Sequence, residues 1–399
     1  MPEDNVHLVE ALKGFDKIDQ LLASPAYLAN QPFLNRLFNH PKVFEFPGCQ
    51  PRVNAFLRIV QWNIEYGKRL DEVARALNEH SVLRFADLLL INEVDEGMSR
   101  SGNVAVAEEL GKRIEAHAVF GAEYLELTGR QQSVGAGAVA PQSTIEANGN
   151  TAALHGCAIL TRHRFSNPTV ARLPRCEDNF ASVQKRLGGR VGVMVKLHLS
   201  GREVTAATAH LDVVNTPRCR QAQIRALLEA IDAGSATSSP PAIVGGDLNT
   251  HTFARGGRLR GALNLARILI ANRQALARDL LNPSDREPLL REFGKFDYQV
   301  KGFNDGQPTN QVGGDELGAS SALPLIVRKL ALKRLGGPEF SLPFRLDWFA
   351  ARGLVPLSEA EIEDRETGIR SIGPSTVSGL QSDGGRLSDH DPIVVDIRI

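Results

Sequence analysis

The chain has 399 residues with 46 acidic and 46 basic side chains, so its formal net charge at pH 7 is zero. That balance excludes a protein that is basic overall and binds nucleic acid by charge alone, but it leaves a local basic patch open. Hydrophobic residues make up 42% of the chain, enough for a large core. The N-terminus lacks a signal-peptide pattern and no apolar run approaches the ~20 residues of a membrane span, so we expect a cytoplasmic protein.

The first predicted elements are helices. Residues 5–39 show a helix-like spacing of leucine and phenylalanine, and "EFPGCQPRVN" then breaks the pattern with two prolines and a glycine. We therefore predict an N-terminal helical extension at 1–56 and a compact domain at 57–399.

Strands and helices alternate after this boundary. The predicted strands are "FLRIVQWNIE", "ADLLLINEV", "GCAILTR", "RVGVMVKLHLS", "EVTAATAHLD", "PAIVGGDLNT", "FRLDWFAARG" and "PIVVDIRI". The predicted helices are "LDEVARALNEHSVLRF", "NVAVAEELGKRIEAHA" and "TPRCRQAQIRALLEAID", the last with Pro217 in its first turn. "SG" between two alternating runs at 200–201 predicts a hairpin, and residues 133–151 predict a loop. This mixture indicates an α/β protein with partly antiparallel sheets.

Residues 251–343 interrupt this order and are interpreted as an insertion. Its first part, Arg255 to Arg278, contains six arginines and no acidic residue, and it predicts a basic amphipathic helix. "LPLIVRKLALKRLGG" predicts a second basic helix. The arginines either form a solvated face or gather an anionic substrate, which could be nucleic acid, a polyphosphorylated small molecule or an anionic lipid surface.

The four cysteines are not spaced as a metal or redox motif. No pair among Cys49, Cys157, Cys176 and Cys219 has CxxC spacing. The sequence therefore predicts free thiols in a reducing compartment, with neither a zinc site nor a disulfide framework.

Polar side chains stand at the ends of several predicted strands. They occur in "QWNIE", "INEV", "TAHLD", "GGDLN", "RLDWF" and "SDHDP". Any one acidic residue in such a place is usually a turn or cap residue. Six together can converge on one site, because the sites of layered α/β proteins form at strand ends. Residues two apart, such as Asn63 and Glu65, are expected to share a strand face.

The chemistry of these motifs is oxygen-rich and contains no cysteine. Carboxylates and amides are ligands for a hard cation, Mg²⁺ or Mn²⁺. The two histidines, His210 and His390, suit proton transfer and charge stabilisation in phosphate chemistry near neutral pH.

The six motifs, in this order, resemble the endonuclease/exonuclease/phosphatase (DNase I-like) superfamily. The resemblance covers residues 57–399 apart from the insertion. It implies an α/β four-layer sandwich, in which two mixed β-sheets pack face to face with helices outside. It also implies a divalent-metal-dependent hydrolase acting on phosphoester bonds.

The resemblance carries metal-binding roles onto four positions. Glu93 would be the principal metal ligand, and Glu65 would assist directly or through water. Asn63 would hold either the metal site or the phosphate, and Asp389 would lie on the metal side.

It carries catalytic roles onto five positions. Asp247 would orient and deprotonate the attacking water, and Asn249 would bind a phosphoryl oxygen. His390 would bind the scissile phosphate, with Asp347 fixing its tautomer. His210 would donate to the phosphoryl oxygen or to the leaving group.

Some positions depart from the family pattern. Asn92 replaces a common glutamine before the metal ligand, and Cys157 takes the place of an asparagine, with His155 two residues before it. His155 and Arg190 are each either substrate contacts or structural residues. Trp62 and Trp348 are expected to point away from the site, into the core between the sheets.

Two matters stay open in the sequence. The substrate could be a phosphodiester or a phosphomonoester, and a Mg²⁺-dependent endo- or exonuclease acting on DNA or RNA is one alternative. A non-catalytic binding protein on the same fold is the alternative of another class. The sequence makes no prediction of oligomeric state.

Overall fold

The computed structural model describes residues 5–128, 149–176, 180, 185–213, 215–234, 239–251, 273–313, 333 and 341–399. Its helices are α1 Val6–Leu12, α2 Ile18–Leu22, α3 Pro25–Asn39, α4 Leu70–Glu79, α5 Val106–Ile114, α6 Pro217–Ala233, α7 Arg273–Leu281 and α8 Pro288–Lys295. Its strands are β1 Lys42–Phe44, β2 Phe56–Tyr66, β3 Leu88–Glu96, β4 His117–Glu126, β5 Leu154–Thr161, β6 Phe165–Arg172, β7 Arg186–Gly188, β8 Val191–Leu199, β9 Arg202–Ala209, β10 Ala242–Asp247, β11 Asn310–Gly313, β12 Ser341–Phe344, β13 Asp347–Arg352, β14 Ser375–Thr376, β15 Gln381–Ser382, β16 Gly385–Arg386 and β17 Ile393–Arg398.

Most of the predicted loop at 133–151 and most of the predicted basic helices of the insertion lie outside the described residues. Helix α7 corresponds to the end of the first basic helix. Helix α8 lies between the two predicted basic helices, in a stretch for which no helix was predicted.

The strands form two large mixed sheets. The first has the order β1-β4-β5-β3-β2-β17-β14, with β7 also paired to β4, and the second has the order β13-β10-β9-β8-β6. Each sheet contains one parallel pair, β2 with β3 in the first and β10 with β9 in the second. The polar ends of these neighbouring strands are thereby brought to one side of the molecule.

The two sheets pack face to face over one apolar layer. Leu57 and Ile59 of the first sheet share this layer with Ile243 and Phe349 of the second. A second apolar cluster joins the outer face of the first sheet to α1–α5, and a third joins the outer face of the second sheet to α6 and α8. The predicted four-layer α/β sandwich is confirmed.

The period of two along β2 explains which side chains face inward. Leu57 and Ile59 face the second sheet, whereas Val60 and Trp62 belong to the outer cluster under the helices. The expectation that the tryptophans fill the core between the sheets is therefore wrong. Trp348 likewise lies in the outer cluster of the second sheet. Its neighbour Phe349 faces the layer between the sheets, and successive side chains on a strand point to opposite faces.

Local sequence signals agree with the observed elements. The hairpin between β8 and β9 turns at Ser200 and Gly201, which both have positive φ angles of 42° and 85°. Helix α6 begins with Pro217 at its first position, and the Thr216 hydroxyl caps it by accepting from the backbone N–H of Cys219. Strands β4 and β6 were not predicted, although both lie within the sheets.

The free-thiol prediction is wrong for two of the four cysteines. Cys176 and Cys219 form a disulfide that joins the segment after β6 to the first turn of α6. Cys49 and Cys157 are free. Cysteine spacing could not reveal the bond, because the two residues are 43 positions apart and are brought together only by the fold. Among the described residues, none of the helices combines the length and apolar character that a membrane crossing requires.

Candidate active site

The candidate site lies where β2, β3 and β10 end and where β13 begins. Several of its residues have backbone conformations that residues other than glycine rarely adopt, with φ of 47° at Glu65, 53° at Glu93 and 51° at Asn249. Strained conformations of this kind persist where the surrounding structure enforces them, and they cluster at functional sites.

Asn63 connects two of the predicted site carboxylates. Its Nδ2 donates to Glu93 Oε1 at 3.2 Å and to Asp247 Oδ2 at 3.1 Å. Its Oδ1 accepts from the backbone N–H of Glu65 at 3.1 Å. The amide therefore holds the ends of β3 and β10 at a fixed separation from β2.

Glu93 lies beside other carboxylates. Its pKa is raised to about 7, because burial and the nearby carboxylates of Asp389 and Asp247 outweigh the Asn63 hydrogen bond and the charge of His390. A half-buried carboxylate beside two others, Asp389 and Asp247, fits a bound cation that would offset their negative charge. Because these donors are all oxygens, the residues fit a hard divalent cation.

His390 is bound to Asp347. Its Nδ1 lies 2.7 Å from Asp347 Oδ2, and its Nε2 lies 3.7 Å from Asp247 Oδ2. Burial alone would lower the pKa of His390, but the carboxylates of Asp347 and Asp247 outweigh burial and hold that pKa well above its usual value. The protonated imidazole is therefore the favoured form at neutral pH.

The loop carrying His390 is anchored to β2. The Ser388 hydroxyl donates to the backbone oxygen of Asn63 at 2.6 Å and accepts from the backbone N–H of His390 at 3.1 Å. Trp62 Nε1 donates to the backbone oxygen of His390 at 2.9 Å. Asp391, the next residue after His390, pairs with Arg386 at 3.0 Å and is not the hydrogen-bond partner of the His390 ring, which is Asp347.

Asp247 is the carboxylate that the other groups surround. Its Oδ2 lies 3.5 Å from His210 Nε2, and its Oδ1 accepts from the backbone N–H of Asn249 at 3.0 Å. The pKa of Asp247 is raised to about 6, because burial and the Asp347 charge outweigh the His390 charge and the hydrogen bonds from Asn63 and Asn249. Asn249 is oriented by a bond from its Nδ2 to the backbone oxygen of Leu211 at 2.9 Å.

A pair of buried amides lies beneath these carboxylates. Gln61 Nε2 donates to Asp347 Oδ1 at 3.0 Å and to Asn92 Oδ1 at 3.1 Å. Asn92 Oδ1 also accepts from the backbone N–H of Asp247 at 2.7 Å, and its Nδ2 donates to Thr208 Oγ1 at 3.1 Å. The two amides, which belong to the first sheet, thus help to position Asp347 and Asp247 of the second sheet.

One of the expected pairs, Asn63 and Glu65, does not share a strand face. The pairing of β2 with β3 shifts between Asn63 and Tyr66, so the alternation that predicted Asn63 and Glu65 on one face ends there. The Glu65 carboxylate is instead bound by Lys68 at 2.6 Å. Asp212, two residues after His210, contacts Arg190 Nε at 3.3 Å, whereas His210 Nε2 lies 3.5 Å from Asp247.

The sequence interpretation missed several buried polar residues beside the site. Gln61 lies within a quoted motif but was given no role, and Glu123 belongs to the unpredicted strand β4. Asp95 comes two residues after Glu93 and bonds to His155 Nδ1 at 2.9 Å. A signal was present in "GAEYLEL", where Glu123 interrupts a segment that is otherwise mostly apolar and small.

Comparisons with known proteins were made for sequence and for structure. The model of the Endonuclease/Exonuclease/phosphatase family matches residues 60–320, whereas a search of curated proteins finds no match. Similar solved structures include an endonuclease/exonuclease/phosphatase from Beutenbergia cavernae, at 14% identity and TM-score 0.47 over 86% of this chain and 72% of that one. Another, from Bacteroides vulgatus, has 13% identity and TM-score 0.46 over 86% and 99%. The human Nocturnin catalytic domain with bound sulfate has 14% identity and TM-score 0.42 over 91% and 97%.

Proposed function

The chain belongs to the endonuclease/exonuclease/phosphatase family, and we propose that it is a Mg²⁺- or Mn²⁺-dependent hydrolase in which water attacks a phosphoester. The observation that carries this proposal is the meeting of Glu93, Asp247 and His390 at one end of the two sheets. A half-buried acid beside other carboxylates, a carboxylate with a pKa of about 6 and a protonated histidine lie within one site. These are the groups that phosphoester hydrolysis needs.

Glu93 and Asp389 would hold the divalent cation in this proposal, with Asn63 fixing the position of Glu93. Because the Glu65 carboxylate is bound by Lys68, Glu65 would act on the cation through an intervening water. The bound cation would supply neutralisation of the charge that develops on the phosphoryl oxygens.

Asp247 would orient the attacking water and accept its proton. A pKa of about 6 leaves most of this carboxylate ionised at neutral pH, while keeping it basic enough to take a proton in the transition state. Asn63 and the backbone N–H of Asn249 each bond to one of its oxygens, so the carboxylate is held before substrate arrives.

His390 would donate to a phosphoryl oxygen as a cation. Asp347 accepts from its Nδ1, which leaves the Nε2 proton free to point toward the phosphate. His210, on the other side of Asp247, would donate to the phosphoryl oxygen or to the leaving group, and Asn249 would bind a phosphoryl oxygen.

The proposed test is hydrolysis of a substrate panel with Mg²⁺ or Mn²⁺. The panel comprises bis-p-nitrophenyl phosphate, abasic and single-stranded DNA, RNA, inositol phosphates and sphingomyelin. We expect EDTA to abolish hydrolysis and Asp247→Asn and His390→Ala each to lower kcat by orders of magnitude. Unchanged hydrolysis in both variants would refute the proposal, and binding of a panel member without turnover would support the non-catalytic alternative.

The substrate class belongs to the same test. A nuclease is expected to turn over the nucleic acids of the panel in preference to the small esters. The arginines between Arg255 and Arg278 would gather anionic substrate, and this part of the proposal predicts a steep loss of activity with salt. A cytoplasmic location stays a prediction.

A further inference from the structure

A second group of ligand-type side chains lies beside the candidate active site. It consists of His155 on β5, His210 just after β9 and Glu123 on β4. One ligand atom from each of the three lies within 4.8 Å of the other two, and all three side chains are buried. We propose that this group is a second metal site, distinct from the cation position at Glu93, and that it binds a transition metal such as Zn²⁺.

Each of the three side chains has a ligand atom to offer. The Nδ1 of His210 is buried and has no hydrogen-bond partner among the described residues. His155 uses Nδ1 to contact Asp95, which leaves Nε2 for a metal. Glu123 accepts from Arg190 through Oε2 at 2.8 Å, while its Oε1 has the weak S–H donor of Cys157 at 3.6 Å. A buried nitrogen without a partner is destabilising, and a metal ion would satisfy it.

The surroundings resemble the outer shell of protein zinc sites. Histidines that bind metal usually place their other ring nitrogen against a carboxylate. His155 does so through Asp95, and Asp95 is itself held by Arg100 at 2.6 and 2.8 Å. His210 places Nε2 3.5 Å from Asp247. Burial, with added repulsion from nearby arginines, keeps the pKa of both histidines well below its usual value, so both are in the neutral form that binds metal.

The nearby cation Arg190 is matched by its own carboxylates. It bonds to Glu123 at 2.8 Å and to Asp212 at 3.3 Å. Around the two neutral histidines, the carboxylates of Asp95, Glu123, Asp212 and Asp247 lie among the guanidinium groups of Arg100, Arg186 and Arg190.

The donor set distinguishes this site from the cation position at Glu93. Two imidazole nitrogens and one carboxylate suit Zn²⁺, and a water molecule would complete four-coordination. Glu93 and Asp389 offer only oxygens, which suit Mg²⁺. A metal on His210 Nδ1 would fix the proton of that ring on Nε2, on the side of Asp247. Only this last consequence rests on the proposed hydrolysis; the binding site itself does not.

The experiment is a calorimetric titration of Zn²⁺ into the metal-stripped full chain, with excess Mg²⁺ present to fill the position at Glu93. We expect one Zn²⁺ per chain in the wild type and in Glu93→Gln. The affinity should fall at least tenfold in His155→Ala and about 10- to 100-fold in Asp95→Asn. His163→Ala is the matched control, because His163 is a half-buried histidine whose buried Nε2 also lacks a partner among the described residues, and this variant should bind Zn²⁺ as the wild type does.

The outcomes separate this site from the proposed active site. Glu93→Gln should lose hydrolysis and keep Zn²⁺, whereas loss of Zn²⁺ in that variant would place the ion at Glu93 and overturn the proposal. Equal Zn²⁺ affinity in the wild type and His155→Ala would also overturn it. If circular dichroism shows that His155→Ala is unfolded, Co²⁺ added to the Mg²⁺-saturated wild type decides. Strong visible absorption from four-coordinate Co²⁺ supports the site, and only the weak spectrum of six-coordinate Co²⁺ refutes it.

Discussion

Replacing Asp347 with asparagine should test the arrangement around His390 most directly. The change removes one charge with almost no change in volume, and it removes the acceptor that lies 2.7 Å from His390 Nδ1. A hydrogen bond to a charged partner contributes about 1.5–3 kcal/mol. If the bond operates fully in the transition state, kcat should fall about 10- to 150-fold, because about 1.4 kcal/mol corresponds to a tenfold change in rate. The Michaelis constant should change little.

The pH dependence gives this prediction a second measurement. Asp347 holds the pKa of His390 above its usual value, so the imidazolium persists into alkaline solution. In Asp347→Asn that pKa should fall, and the alkaline limb of the kcat profile should move to lower pH. The assay is steady-state hydrolysis of bis-p-nitrophenyl phosphate with saturating Mg²⁺. Asp391→Asn is the matched control, because this carboxylate adjoins His390 in sequence but pairs with Arg386. An unchanged kcat and an unmoved limb in Asp347→Asn would refute the reasoning.

Three further predictions concern the cation, the amides and the fold. The pKa of Glu93 is about 7 in the metal-free chain, so its proton should compete with Mg²⁺. The Mg²⁺ affinity measured by calorimetry should weaken by about tenfold for each pH unit below that value. A Mg²⁺ affinity independent of pH would contradict this prediction. Gln61→Leu removes the hydrogen bond to Asp347. It should lower kcat about tenfold and leave the Michaelis constant and the melting temperature unchanged. Equal losses of kcat and of stability would indicate a structural role only. Asp396→Asn leaves the buried Arg58 guanidinium without its carboxylate and should cost about 3–5 kcal/mol in denaturant unfolding, whereas Glu363→Gln, in an exposed pair, should cost far less.

Much of the fold could be predicted from local patterns. The hairpin at Ser200 and Gly201 follows from two neighbouring positions, and the start of α6 follows from Thr216 and Pro217. These signals act within a few residues, so they are present in the sequence before any tertiary contact forms. The order of the strands in each sheet has no such local signal and was not predicted. The resemblance carried by the six motifs predicted only two mixed sheets packed face to face.

The errors lie where tertiary structure overrides local alternation. Glu65 was expected to share a face with Asn63, but a shift in strand pairing and a φ of 47° at Glu65 end the period of two. Trp62 was placed on the correct side relative to Asn63, yet the layer it fills is the outer one. Alternation tells which residues share a face, but it does not tell which face meets the second sheet.

The site also depends on residues that no catalytic motif singles out. The resemblance pairs Asp347 with His390, and those side chains are in contact; their catalytic role stays a prediction. What holds Asp347 and Asp247 in place is the amide pair of Gln61 and Asn92, which joins β2 and β3 to strands of the other sheet. In the apolar layer between the sheets, Gln61 follows Leu57 and Ile59 on the same face. A polar side chain there is costly, and its Oε1 stays without a partner among the described residues. Since the fold tolerates this cost, we infer that Gln61 is kept for orienting the carboxylates rather than for stability.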